Sequence, residues 1–177
     1  MTDMQAISAA LAETGKSRIL VLGDYALDKY LYIDPKRDEP SIETGLTAYQ
    51  IHGKRMSAGA GGNVVSNLRA LGAQVTCISL VGNDGEGFEL LRCLESIGAN
   101  TDWMVRTDEL CTCTYTKPMR LQEDGSWKEM NRLDFRNFTP PSMELQRQLI
   151  ANLEQCLPNV DAVLLVDQFP QRTLGTI

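Results

Sequence analysis

Three short apolar runs, each cut off by a polar turn, constrain this sequence more than any other feature. They are Arg18–Leu22 (RILVL) before Gly23-Asp24, Val75–Val81 (VTCISLV) before Gly82-Asn83-Asp84-Gly85, and Asp161–Val166 (DAVLLV) before Asp167-Gln168-Phe169-Pro170. Such runs, strand-sized and apolar without alternation, belong to strands buried on both faces. Helical patterns lie between them. Val64, Val65, Leu68 and Leu71 form a core-facing stripe that Gly72 closes. A second helix is expected after Gly85, with Phe88, Leu91, Leu94 and Ile97 inward and Gly98 at its end. A third follows Pro140-Pro141-Ser142, with Leu145, Leu149, Leu153 and Cys156 inward. Thr101–Arg106 reads as a further short strand. Buried strands alternating with helices specify an α/β fold, a parallel sheet flanked by helices with right-handed crossovers.

Two stretches break this rhythm. Residues 29–53 are polar and interrupted by Pro35 and Pro40, with strand-like alternation at Tyr30–Ile33 and Leu46–Ile51. Residues 111–134 alternate on either side of Glu123-Asp124-Gly125-Ser126, which marks a hairpin. Both are β-like, so they are expected to pair into a small second sheet, lid-like, over one end of the main one.

Composition then excludes several classes of function. With 17 Lys+Arg against 23 Asp+Glu the net charge is −6, which argues against nucleic acid as a partner, because phosphate backbones need a basic face. No apolar run approaches the roughly 18–20 residues of a membrane span. The N-terminal segment, with Asp3 and Glu13, reads as an amphipathic helix and not as a signal peptide. A soluble, cytoplasmic chain without a membrane partner is expected. The single histidine, His52, has no second histidine beside which to do acid–base or metal chemistry. Cys77, Cys93, Cys111, Cys113 and Cys156 contain no C-x-x-C pair and complete no zinc set, so free thiols and no metal site are expected.

Ligands of open α/β sheets bind beyond the carboxyl ends of the strands, and three clusters fall at such ends. Gly23-Asp24-Tyr25-Ala26-Leu27-Asp28 offers two carboxylates, each able to accept from ligand hydroxyls. Asp24 suits a turn or a helix cap equally well, whereas Asp28 stands past the turn. Gly59-Ala60-Gly61-Gly62-Asn63 opens the helix of Val64–Leu71, and its bare backbone lets a ligand approach peptide N–H groups, with Asn63 adding a donor and an acceptor. Tight helix–sheet packing explains the same glycines. The third glycine of a dinucleotide fingerprint would fall at Val64, which disfavours a nucleotide-dependent oxidoreductase. Gly82-Asn83-Asp84-Gly85-Glu86-Gly87 reads as a turn with an acidic helix cap, since the spacing of a calcium loop is missing.

Taken in order, G-D-x-x-L-D after a strand, a polar β segment, G-x-G-G-N opening a helix, L-G-A, a strand and V-G-x-D-x-x-G resemble the N-terminal half of the PfkB/ribokinase family of sugar kinases. Residues 21–32 (VLGDYALDKYLY), Asn131–Phe135 (NRLDF) and DAVLLVDQF look like the branch acting on heptose phosphates, which makes ADP-heptose for lipopolysaccharide. The resemblance implies a ribokinase-like sheet with a small β lid at about 29–53 and 111–134, and residues 1–177 as one partial domain lacking the C-terminal part of the fold. It implies that the sugar or sugar phosphate is held by Asp28, by backbone around Gly59, Gly61 and Gly62, and by Asn63. Lys117, Arg120 and Arg132 are the cations available to a 7-phosphate. It further implies a homodimer contact through the lid, and ATP and Mg2+ as the full-length family's cosubstrate and metal, neither expected to bind well here. The family's catalytic G-A-G-D does not occur, because Gly59-Ala60-Gly61 is followed by Gly62. The expected function is therefore the sugar-binding half of an ATP-dependent kinase of the D-glycero-D-manno-heptose 7-phosphate type, without turnover of its own. The alternative is a non-catalytic sugar-binding or regulatory module. A sheet ending at Val163–Val166 would also leave an unpaired apolar edge prone to association.

Overall fold

The first apolar run becomes β1 of a computed structural model that describes residues 3–169 and 174–176. Helix α1 (Asp3–Thr14) precedes it. Then come β1 (Arg18–Gly23), β2 (Tyr25–Ile33), β3 (Glu39–Pro40), β4 (Thr47–Ala48) and β5 (Ile51–Ala60), followed by α2 (Gly61–Ala70). The middle of the chain forms β6 (Gln74–Ile78), β7 (Leu80–Gly82), α3 (Gly85–Ser96) and β8 (Val105–Thr107). Last are β9 (Thr114–Leu121), β10 (Trp127–Glu129), β11 (Leu133–Phe135), α4 (Met143–Cys156) and β12 (Ala162–Val166). Pro170, expected in the turn after the third run, lies outside the described residues.

β1 is the centre of a parallel three-stranded sheet in the order β12-β1-β6. Successive residues of a strand point to opposite faces, and β1 uses both. Val21 joins Val65, Leu90 and Leu94 beneath α2 and α3, while Leu20 and Leu22 join Leu145, Leu149 and Cys156 beneath α4. The sheet is thus covered on both faces, which is why β1 is apolar without alternation. At the start of β12 the Arg18 guanidinium pairs with Asp161 at 2.7 Å. The two backbones also clip together there, Asp161 N donating to Arg18 O at 2.7 Å. Along its other edge β12 pairs with no strand among the described residues, and Leu165 is 66% exposed.

The two polar excursions form a second sheet in the order β10-β9-β2-β5, with β11 also on β9. β2 pairs antiparallel with β5 and parallel with β9. Leu27 reaches the α2–α3 core, with Met56 and Ala58 packed against it, so one face of this sheet is fastened to the body.

Several local expectations are corrected. The run Val75–Val81 is one strand in the sequence but two in the structure: buried Ser79 turns its hydroxyl to Gly23 O (2.6 Å), and β7 leaves to pair with β8. Thr101–Met104 forms a turn, closed by Met104 N to Thr101 O at 3.0 Å, so the short strand starts only at Val105. Phe88 is 62% exposed, and α3 buries Gly87, Leu90, Leu91 and Leu94 instead. Three steps of three residues drift around a helix of 3.6 residues per turn, so Phe88 and Ile97 cannot share a face. Leu71 ends its helix half exposed. The N-terminal helix forms, but Met4, Ile7 and Leu11 remain more than half exposed and none of its residues is buried. The hairpin turn holds, with Gly125 at φ 81, yet its second arm splits into β10 and β11. All five cysteines are free; Cys77, Cys113 and Cys156 are buried and Cys93 and Cys111 partly so. Among the described residues no helix is long and apolar enough to cross a membrane.

Candidate functional site

Asp28 sits in mid-strand, not on a strand-end loop. The turn after β1 is made by Asp24 alone, whose N–H donates to Val166 O (2.8 Å) and whose carbonyl accepts from Gly61 N (2.8 Å). β2 begins at the next residue. Because Tyr25 and Leu27 face the core, alternation sends Asp28, Tyr30 and Tyr32 to the opposite, open face of the second sheet. Register fixes their neighbours: Asp28 stands beside Ser57 and Tyr115, and Tyr30 beside Arg55 and Lys117.

Lys117 Nζ lies 2.6 Å from Asp28 Oδ1, with both side chains only 16% exposed, and donates to the Tyr30 hydroxyl at 3.2 Å. Burial opposes its charge, but the bonds to Asp28 and Tyr30 outweigh that and hold the ammonium above its ordinary pKa. The other carboxylate oxygen, Oδ2, faces Gly59 in β5. A Cβ on Gly59 would stand 2.8 Å from it. Glycine at that position therefore makes room for the carboxylate itself.

The remaining glycines of the cluster do different work. Gly61 and Gly62 open α2, and a Cβ would meet Asp24 O at 2.8 Å in the first and collide with the Ala58 side chain in the second. They permit tight helix–sheet packing. Neither takes a positive φ; that falls to Ala60 between them, at φ 53 and ψ −120. Asn63 lies exposed in the first turn of α2, its side chain without a hydrogen-bond partner, and the helix start has no side-chain cap. Donors at a helix N-terminus thus stay available beside the carboxylate's strand.

Of the three proposed cations, the structure brings Lys117 and Arg132 to the face of Asp28. Arg132 is held by Asp134 (2.6 and 2.8 Å) and lies 4.3 Å from the ring centre of Tyr115. Arg120 is on the other face, in register with Ile33, where it pairs with Asp38 at 2.8 Å. It is removed from the candidate set. Arg55, which the sequence reading missed, lies over the Tyr30 ring at 4.0 Å. His52 is exposed and packs edge-on to Trp127, 5.6 Å between ring centres, and Trp127 in turn lies 4.9 Å from the ring of Tyr32.

Asp24, which the sequence left between a turn and a ligand role, is fully buried. Its carboxylate accepts from the backbone N–H groups of Gln168 (2.9 Å), Phe169 (3.0 Å) and Thr176 (2.7 Å). That saturates it as a structural anchor. The third cluster behaves as expected: Asp84 caps α3 by accepting from Gly87 N at 2.6 Å, and its second oxygen accepts from Thr112 N at 2.9 Å. Among the described residues no three His, Cys, Asp or Glu side chains gather as a metal shell.

A half-buried carboxylate on β2, an unpartnered amide and the N–H groups that open α2 after the neighbouring β5 suit a polyhydroxylated ligand. The chain is 33% identical over 155 residues to "Bifunctional protein HldE" of Sulfurimonas denitrificans, covering 85% of this chain and 30% of that protein. It is 28% identical over 165 residues to the HldE of Trichlorobacter lovleyi, covering 93% and 32%. It therefore spans about a third of the length of these curated relatives. In fold it is similar to a carbohydrate kinase from Agrobacterium tumefaciens (TM-score 0.59, 22% identity, 84% of this chain and 45% of that one). It is also similar to the Arabidopsis thaliana ribokinase complexed with ribose and ATP (TM-score 0.53, 18% identity, 84% and 45%). The arrangement is that of part of a ribokinase-like fold. The family model for pfkB family carbohydrate kinases matches residues 18–165, and this chain belongs to that family.

Proposed function

We propose that these residues form the sugar-binding face of an ATP-dependent sugar kinase whose substrate is a heptose 7-phosphate. The observation that carries the reading is the Asp28 carboxylate. It is fixed through Oδ1 by Lys117, and Oδ2 lies against Gly59, where a Cβ would crowd it. Asp28 would accept from the sugar's hydroxyls, and Asn63 with the N–H groups of the first turn of α2 would complete its orientation. Lys117 and Arg132 stand where a phosphate on the same sugar would meet them. Phosphoryl transfer needs a base at the attacking hydroxyl, and no residue among 1–177 is assigned to it. The part played by these residues is binding and positioning. The HldE names of the relatives support the heptose substrate, and the second sheet supports a lid role.

Calorimetry of the folded chain with D-glycero-D-manno-heptose 7-phosphate tests the proposal. Asp28→Asn and Asn63→Ala should each weaken binding about tenfold, the scale of one hydrogen bond to a charged or oriented group. Absence of heat from the folded wild-type chain, or unchanged affinity in both variants, would refute it.

A further inference from the structure

The open face of the second sheet carries a second feature one rung beyond Asp28. Register sets Arg55 of β5, Tyr30 of β2 and Lys117 of β9 side by side on the same face. Arg132 directly precedes Leu133, which pairs with Thr116, so the next position of the ladder sets Arg132 opposite Lys117. Three cations and one tyrosine thus span the sheet in a single row. With strands roughly 4.8 Å apart, Arg55 and Lys117 flank Tyr30 about 10 Å from each other at the backbone.

The three cations are not equivalent. Lys117 is committed to Asp28, and Arg132 to both oxygens of Asp134. Arg55 has no carboxylate partner among the described residues; its guanidinium lies over Tyr30, 4.0 Å from the ring centre, and side-chain hydrogen bonds to Tyr32 first and to Tyr30 hold its charge. Lys117 Nζ approaches the same ring at 4.8 Å. A guanidinium has five N–H donors, so one held over an aromatic face by two tyrosines keeps donors to spare and gives up less rotamer freedom when it binds. In a chain of net charge −6, an arginine fixed in this way and left uncompensated marks a place for an anion.

We propose that Arg55, seated on Tyr30, is the principal ligand of a phosphate subsite completed by Lys117 and Arg132, and that it selects phosphorylated over neutral sugars. The proposal rests on the sugar-site reading above for the identity of the ligand, though not for the existence of the anion site. Two residues along a strand separate the Asp28 rung from the Tyr30 rung, about 7 Å. A sugar whose hydroxyls meet Asp28 would reach the row with a phosphate a few bonds further along. A guanidinium presents paired donors that match two phosphate oxygens.

The Arg Nε–Hε signals of the 15N-labelled chain, together with calorimetric affinities, provide the test. The probes are inorganic phosphate, D-glycero-D-manno-heptose 7-phosphate and the unphosphorylated heptose. Both phosphate-bearing probes should shift the Arg55 and Arg132 signals. Arg55→Gln should weaken the phosphosugar about tenfold and leave the neutral heptose unchanged, and Arg55→Lys, which keeps the charge without the planar fork, should fall between. Arg55 is exposed, and an unchanged backbone spectrum will show that each variant folds. If inorganic phosphate moves Arg55 and no sugar binds, the anion site stands and the sugar reading falls. If neither phosphate nor phosphosugar moves Arg55, or if Arg55→Gln weakens phosphorylated and neutral sugars alike, the proposal is overturned.

Discussion

Ala60→Gly should stabilise this protein. Ala60 joins β5 to α2 at φ 53 and ψ −120, a region in which a Cβ crowds its own backbone and which glycine enters freely. A non-glycine residue held in a sparsely populated region costs about 1–3 kcal/mol. Replacing it by glycine adds roughly 0.5–1 kcal/mol of unfolded-chain entropy. The difference is a net gain of about 1–1.5 kcal/mol. With a urea slope near 2 kcal/mol/M, that gain moves the unfolding midpoint up by about 0.5–0.75 M. The thermal midpoint should rise by about 4 °C in a chain of this size. Ala60→Val serves as the opposite control, because a β-branched side chain at positive φ is a still worse fit, and its midpoint should fall. Parallel urea melts of the three proteins, at one pH and with coincident fluorescence and circular-dichroism transitions, make the comparison. A midpoint for Ala60→Gly at or below that of the wild type would show that the strain is absent and the reasoning wrong.

Two further outcomes follow from named carboxylates. Asp24→Ala removes the acceptor of three backbone N–H groups; because those N–H groups lie near the surface and regain water, the loss should be about 3 kcal/mol in urea unfolding, and a loss below about 1 kcal/mol would mean the anchor is not formed. The Arg18 side chain and then its backbone N–H hold the Asp161 carboxyl down to about 2. An acid with a depressed folded pKa stabilises above its unfolded value of roughly 3.9 and loses that contribution as pH falls. The stability gap between wild type and Asp161→Asn should therefore be full at pH 5 and close between about pH 4 and pH 2; a gap equally wide at both ends would contradict the pairing.

Much of the main sheet was legible because its signal is local. Runs such as Leu20–Leu22 and Val163–Val166 are apolar at consecutive positions, and only a strand covered on both faces requires that. What escaped was what depends on partners far along the chain. Ser79 ends β6 because Gly23 O lies where its hydroxyl can reach it, 56 residues away in sequence. The glycine cluster suits either a ligand-facing backbone or tight packing in sequence, and the structure shows Gly59, Gly61 and Gly62 in close approaches inside a strand and a helix, while an alanine takes the positive φ. Arg120 could have been set aside from sequence alone: three residues from Lys117 on one strand puts it on the opposite face. Arg55 could not have been found that way. Its place beside Tyr30 depends on the register between β2 and β5, which no local pattern of residues 29–53 specifies.

The two aspartates of the G-D-x-x-L-D segment show how far residue type falls short of role. Both follow β1, four positions apart, and both suit a ligand hydroxyl. Asp24 is fully buried and accepts three backbone N–H groups, so both oxygens are engaged and a ligand would have to displace part of the fold. Asp28 is held through one oxygen by a flexible lysine and keeps the other beside a glycine. A carboxylate can serve recognition only where its desolvation is partly compensated in the absence of ligand and its remaining lone pairs are directed outward. Asp28 stands off the core because β2 fastens to it through Tyr25 and Leu27 and turns every second residue away from it. The same alternation keeps substitutions at Asp28 off the core, so the proposed binding role can be tested there without unfolding the chain, whereas a substitution at Asp24 acts on the fold itself.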